Sequence, residues 1–524
     1  LARAMIALIL AEGWQNQAYL DEHVEGWGQV KPWFEGFDIK GALEVCQLDY
    51  SEVRELCRLM TSKPWCLHPD LGIYMGRNST LNSYLLNILC AVCGVFGKRG
   101  GNIVPGMVMP MGFHADERDD KIWRTVETNM PPAAAGSFPP AVMPEEIMSH
   151  RPDRLRAVLV SACNPLRSYP DTQAYEKAFA EVELLVVSDI VLSETARLAH
   201  YVLPCRSFYE SWDTTFFPWT YPEVYCQLRR PIVDAPQNCL EASQIYARLA
   251  AKMGITPGIP DNLITAAEGN RLAFGAQLMA YAGQEPGAKA LAPFVLASTL
   301  GKVWDSAAKA AFWGLLMTAP KAFRANAARA GFEPGLDQGD RVFQALLDNP
   351  QGIWVGRADE DDPMAGVKTP SGKVEVFIPE LEQGVLDLTP QKESSGLEMP
   401  QDFPLVLHAG RHMKYNANSL MRNPEWNQGK RDCTVALSPA DAEGLGLSDG
   451  QQVKVTTQAG SVSGEMQVSD QVREGTVLIP HGFGLIYEGQ VHGINVNFLT
   501  KNTHRDPLGT PLHRFVPCRI EAAG

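Results

Sequence analysis

The feature that most constrains this chain is a short stretch that reads as strand, crossover helix and second strand. Residues 155–161 form a nearly continuous apolar run, the mark of a strand buried on both faces. Asn164 and Pro165 break it, and residues 172–182 then carry apolar side chains at helical spacing. Leu184, Leu185, Val186 and Val187 make a second buried strand, which ends at Ser188 and Asp189. The connection is long enough for a right-handed crossover, so the two strands should be parallel neighbours. A helix from about residue 193 and a short strand at 201–203 would extend the sheet.

Other segments flank this unit. Residues 53–60 and 81–93 show the three- and four-residue apolar spacing of helices packed on one face. Gly97-Lys98-Arg99-Gly100-Gly101-Asn102 must be a tight turn or a closely approached backbone. Residues 105–145, rich in Pro, Met and Ala, read as an extended loop, and 260–335 as an alanine-rich helical insertion. Residues 384–402 are polar and read as a linker. Beyond them the pattern changes to β, with two-residue alternation at 452–457 and 463–469 and turns at Asp449-Gly450 and Ala459-Gly460. The expected architecture is α/β, a doubly wound and mostly parallel sheet region with a helical insertion, plus a C-terminal β-barrel. The expected units are a helix-rich part over 1–130, a parallel α/β part over 131–260, the insertion and linker over 261–400, and the barrel over 401–524.

Composition narrows the functions. The chain has 60 acidic against 46 basic residues, a net charge of −14, which argues against nucleic-acid or anionic-membrane binding driven by bulk charge. Its longest apolar runs, at 4–11 and 310–319, fall well short of the roughly 20 residues of a membrane helix. The chain opens on Leu1 in place of methionine and reads as a piece of a longer protein, so an export signal could have been lost. Eleven scattered cysteines resemble reduced intracellular usage, and the expected location is the cytoplasm. Cys90 and Cys93 form the only close cysteine pair. They sit in an apolar helix without a second pair, which reads as packing and not as a metal or redox site.

Two regions carry candidate chemistry. Asn164 and Asp189 follow the carboxyl ends of adjacent parallel strands, where open α/β sheets bind ligands. An ionised Asp there can accept two parallel hydrogen bonds from a guanine edge, and it can equally cap the next helix. In the C-terminal part, Gly410-Arg411-His412-Met413-Lys414 follows a strand with cations and a glycine, as suits a phosphate or a solvated basic loop. His481 follows an apolar strand, and Asn495, Asn497, Thr500, Arg505 and Asp506 lie in a polar loop that could hold a heteroaromatic ring or simply turn. Trp212, Phe216, Phe217 and Trp219 cluster in a segment that would line an apolar channel or pack in a core. No nucleophile elbow, Walker-type phosphate loop or His-Glu-x-x-His is present.

Together these segments resemble the molybdopterin oxidoreductase family, enzymes of the dimethyl sulfoxide reductase type. The resemblance rests on the turn at 96–102, on the strand ending at Asp189 followed by Ser193-Glu194-Thr195-Ala196 and Leu203-Pro204, and on Ser438-Pro439 through Asp449-Gly450. It implies a six-stranded barrel of the double-psi type and two copies of molybdopterin guanine dinucleotide with molybdenum or tungsten. It further implies that Asn164, Ser188 and Asp189 line a guanosine site. Gly410, Arg411, His412 and Lys414 would contact the pterin–pyrophosphate region, with His481, Asn497 and Thr500 on the other side. The implied partners are a small-molecule substrate and an electron-transfer subunit or domain. The metal ligand and any iron–sulfur cluster would lie upstream of Leu1. Residues 103–112 lack the Arg typical of formate dehydrogenases in the family. The rival readings are a non-redox hydratase on the same cofactor and a non-catalytic scaffold subunit.

Overall fold

The structure is a computed structural model that describes residues 1–104, 122–132, 136–215, 220–285, 287–362, 364–411 and 418–523. Helices α1 (Ala2–Ala11), α2 (Tyr50–Ser62) and α3 (Ser79–Cys93) build the first core, where Ile6, Ile9, Leu85 and Ile88 are fully or nearly fully buried. Asp49 accepts from the backbone N–H of Ser51 and Glu52 and so caps α2, while Gly94 ends α3 at φ +65°. Cys90 and Cys93 lie inside this core, and burial pushes their thiols up to about 11 and about 12. Among the described residues no group of three or more His, Cys, Asp or Glu could hold a metal ion.

The parallel unit follows. The 105–145 stretch, expected as a loop, turns helical at its end: a 3-10 turn, Pro140–Val142, leads into α4 (Met143–Met148). Residues 105–121 and 133–135 lie outside the described residues. β1 (Ala157–Ser161), α5 (Thr172–Glu181), β2 (Leu184–Asp189) and β3 (Tyr201–Pro204) form a sheet in the order β1-β2-β3 with both pairings parallel. The expected topology is present, but burial on both faces is not. Ile147, Tyr175 and Phe179 from α4 and α5 cover one face, against Val160, Leu185 and Val187. On the other face Leu159, Leu184 and Tyr201 remain 39%, 38% and 64% exposed.

The insertion has its own core. α6 (Ala307–Met317) and α7 (Gln338–Asp348) bury Trp313 and Phe343, and Trp212 packs against that cluster with the Lys309 ammonium 4.3 Å from its ring centroid. Trp212 is thus a packing residue, while Phe216, Phe217 and Trp219 lie outside the described residues. The 384–402 segment is no bare linker. It contains the end of α8 (Pro379–Asp387) and α9 (Pro390–Leu397), which return to the first helical core through Val385 and through Glu393 on Arg77 (3.3 Å) and Asn78 (3.1 Å).

The last unit closes on itself. Strands β4 (Leu405–Gly410), β5 (Val435–Leu437), β6 (Gln452–Thr457), β7 (Ser461–Val468), β8 (Thr476–Pro480) and, after the hairpin β9 (Leu485–Tyr487) and β10 (Gln490–His492), β11 (Val516–Ala522) are the relevant strands. The closed barrel runs β4-β8-β5-β7-β6-β11, with β4–β8 and β5–β7 parallel and the other pairings antiparallel. Alternating side chains such as Val453, Val455, Val477 and Ile479 fill its interior. The six-stranded barrel expected from the sequence is what forms.

Candidate functional site

A cavity of about 400 Å³ lies where the carboxyl ends of the parallel strands meet the barrel. It has three walls: residues 162–164 with Ser168 after β1, residues 418–420, and His481 with Gly482 after β8. The first wall bends sharply because Ala162, at φ 50°, donates its N–H to the Ser188 carbonyl (2.9 Å) and Pro165 then starts a short helix. The third wall requires a glycine. Gly482 sits at φ +87°, and a Cβ there would run into the Asn418 carbonyl of the second wall. His481 N–H donates to the Gly410 carbonyl (3.0 Å), so the end of β4 and the histidine stay side by side.

The strand-end side is rich in polar groups. Ser188 Oγ is buried, with the Cys205 thiol beside it. Asp189 is half-buried; burial raises its carboxyl above the usual range, although Oδ1 accepts the Ile190 N–H at 2.7 Å. The Val191 N–H and the Ser193 side chain also donate to this carboxyl, so its donors come from the segment that follows the strand. Asn164 is 2% exposed and fully engaged: Nδ2 donates to Glu194 Oε2 (2.6 Å), and Oδ1 accepts from Thr195 Oγ1 (2.8 Å).

The barrel side is cationic. Arg411 is exposed at the end of β4, and with Arg514 it helps lower the His481 imidazole, whose main perturbation is burial. His513 is pushed down to about 4, first by burial and then by His481, Arg514 and His504. Arg514 Nε is buried without a partner. Burial and the neighbouring Arg411 disfavour the charge on Arg514, and the Asp70 carboxylate favours it.

Of the expected residues that are described, Asn164 and His481 line the cavity; Ser188, Asp189, Gly410 and Arg411 do not, and neither do two more. Asn497 and Thr500 are 2% and 3% exposed in the seam between barrel and α/β unit, not in the cavity wall. Asn497 Nδ2 donates to the Arg167 carbonyl (2.9 Å), and Thr500 Oγ1 accepts the Asp171 N–H (3.2 Å). Asn495 and Asp506 also fasten loops, through Thr172 and through Ser79 with Thr80. His412 and Lys414 lie outside the described residues. Sequence reasoning missed Arg422, which long-range folding brings to Glu194, and His513 and Arg514, which it brings beside His481. Glu194 stood within the Ser-Glu-Thr-Ala motif without a role. Its carboxylate takes both Arg422 Nη atoms at 2.8 and 2.9 Å, the Ile486 N–H at 2.7 Å and the Asn164 amide, and it is held down to about 2 by these donors despite burial.

Parallel strand ends meeting a closed six-stranded barrel across a cavity define an α/β-plus-barrel protein. The family model "Molybdopterin oxidoreductase" matches residues 71–252, and "Molydopterin dinucleotide binding domain" matches residues 405–512. The chain belongs to the molybdopterin oxidoreductase family, whose cofactor is a molybdopterin dinucleotide carrying molybdenum or tungsten. It is 22% identical over 515 residues to the probable oxidoreductase YyaE of Bacillus subtilis, covering 97% of this chain and 65% of that protein. It is 23% identical to the F420-dependent formate dehydrogenase 2 subunit alpha of Methanococcus maripaludis, covering 92% and 63%, and 22% identical to the acetylene hydratase of Syntrophotalea acetylenica, covering 91% and 62%. The solved acetylene hydratase from Pelobacter acetylenicus superposes with a TM-score of 0.68 at 17% identity, over all of this chain and 70% of that one, and so shares its fold. The chain spans slightly less than two thirds of the length of these curated relatives.

Proposed function

We propose that the chain is the larger part of the catalytic subunit of a molybdenum or tungsten oxidoreductase, and that the cavity between strand ends and barrel holds part of its guanine dinucleotide cofactor. The observation that carries this reading is the cavity between strand ends and barrel, walled by Asn164, Asn418 and His481, with the Arg411 and Arg514 guanidiniums close enough to disfavour a proton on His481. A phosphate between the cations relieves their mutual repulsion, and a guanine edge offers Asp189 a pair of further donors. Ser188 and Asp189 would bind the base, and Arg411, His481 and Arg514 the phosphates, with His412 and Lys414 assigned to the same region by the family pattern. Asn164 is a positioning residue in this reading, and Asn497 and Thr500 hold the seam behind it. The bound metal would supply oxygen-atom or hydride chemistry on a small substrate; the protein binds, orients and excludes water. An electron-transfer partner belongs to the same proposal, supported by relatives named as alpha subunits.

A non-redox hydratase is the second reading, favoured by the similarity to acetylene hydratase over 91% of the chain. One set of measurements on the full-length protein tests both: metal content, pterin fluorescence after acid oxidation, released guanine nucleotide and dye-linked redox turnover. Metal, pterin and guanine together with redox turnover are expected. The same cofactor without any redox turnover would favour the hydratase, and neither metal nor pterin would overturn the proposal and leave a scaffold.

A further inference from the structure

The three walls of the cavity come from distant parts of the chain, yet one carboxylate touches or neighbours them all. Glu194 accepts from Asn164 in the first wall, from Arg422 two residues beyond the second, and from the Ile486 N–H four residues beyond the third. The Arg422–Glu194 pair is two-pronged, and the side chains are 11% and 3% exposed, so water does not substitute for it. Arg422 also donates to the Ile486 carbonyl at 3.2 Å, which joins the second wall directly to the third. A buried ion pair is weak as a source of stability but fixes geometry, because each donor must approach the planar carboxylate along its own direction. Glu183, paired with Arg156 (2.8 Å) and Arg154 (3.4 Å), lies by contrast on the surface, with both partners on its own unit.

We infer that Glu194 is the positioning residue that holds the three cavity walls in register, and that through Arg422 it sets how tightly the cavity retains its guanine dinucleotide. This rests on the reading of the cavity given above. Glu194 does not touch the dinucleotide itself; it fixes the groups that do. A substitution should therefore loosen the walls together and speed cofactor loss before it unfolds either unit.

The test uses the full-length protein with three variants: Glu194→Gln, Arg422→Lys and, as control, Glu183→Gln. Arg422→Lys keeps the charge and removes the fork, so it is expected to fold even where Glu194→Gln is impaired. Guanine nucleotide remaining on the protein is followed over time, beside hydrogen exchange of the unloaded protein. Expected are release at least about tenfold faster in both latch variants, and faster exchange confined to residues 162–168, 418–422 and 481–486, with the control unchanged. Unchanged retention in Arg422→Lys, or exchange rising evenly across the chain, would overturn the inference. A wild-type protein without guanine nucleotide would instead overturn the reading of the cavity; the exchange pattern alone would then still decide whether Glu194 joins the walls.

Discussion

His513 is a buried imidazole among like charges, and its position turns acidity into instability. Its folded pKa, about 4, lies below the ordinary imidazole value, so between the two the unfolded chain binds a proton that the folded one refuses. Stability should therefore fall as pH drops through about 6.5 and level off below about 4, by on the order of 3 kcal/mol for full separation of the two values. His408, His481 and His504 are lowered in the same direction, mainly by burial, and add to the trend. Urea midpoints at several pH values between 7.5 and 4.5 should show this slope, and His513→Gln should flatten it. A variant slope equal to that of the wild type would remove His513 from the account. Glu194 contributes in a lower window, since its depressed carboxyl keeps its stabilisation until pH falls from the ordinary carboxyl value toward about 2. None of this was visible from residue types alone. The sequence marks His481 as a lone histidine after a strand, and only the fold brings His513 and Arg514 beside it.

At the scale of single elements, two turns with the same backbone sign make a useful contrast. Gly475 leads into β8 at φ +76° with open space within 4 Å of where a Cβ would stand, whereas Gly482 leaves β8 at φ +87° against the Asn418 carbonyl. Gly475→Ala should cost roughly 1 kcal/mol, the strain of a left-handed alanine. Gly482→Ala adds a backbone collision that must displace the 418–420 wall, and should cost roughly 3 kcal/mol or more. Thermal melts of the two variants would show the difference, and equal losses would mean the wall yields freely. Elements with strong periodicity were legible in advance: β2 and α5 form where apolar spacing puts them, and β3 pairs in parallel as the crossover rule requires. The bare face of the sheet was not legible. A continuous apolar run fits burial on two sides, and which side is covered depends on where α4 and α5 dock.

For the whole molecule, the instructive departure is the 384–402 segment. Its polar composition suggested a tether between α/β region and barrel, but α8 and α9 pack onto the first helical core. Arg3 donates to the Leu388 carbonyl (2.9 Å), Arg77 reaches Glu393, and Lys392 pairs with Asp387 (2.7 Å). Tryptic cleavage at Lys392 under native conditions should therefore be slow, and little fragment of about 14 kDa, some ~130 residues at ~110 Da each, should accumulate. Rapid release of that fragment would show that α9 detaches readily. Polar residues misled here because short surface helices expose most of their side chains; their anchoring is carried by a few long-range contacts that composition does not register. The barrel also has a consequence for the order of events during synthesis. β11 seals it by pairing with β4 on one side and β6 on the other, strands made more than half a barrel earlier. Until residues 516–522 emerge, both of those strands keep open edges, so the barrel is the late-maturing part of the protein and the stage most exposed to strand-to-strand aggregation.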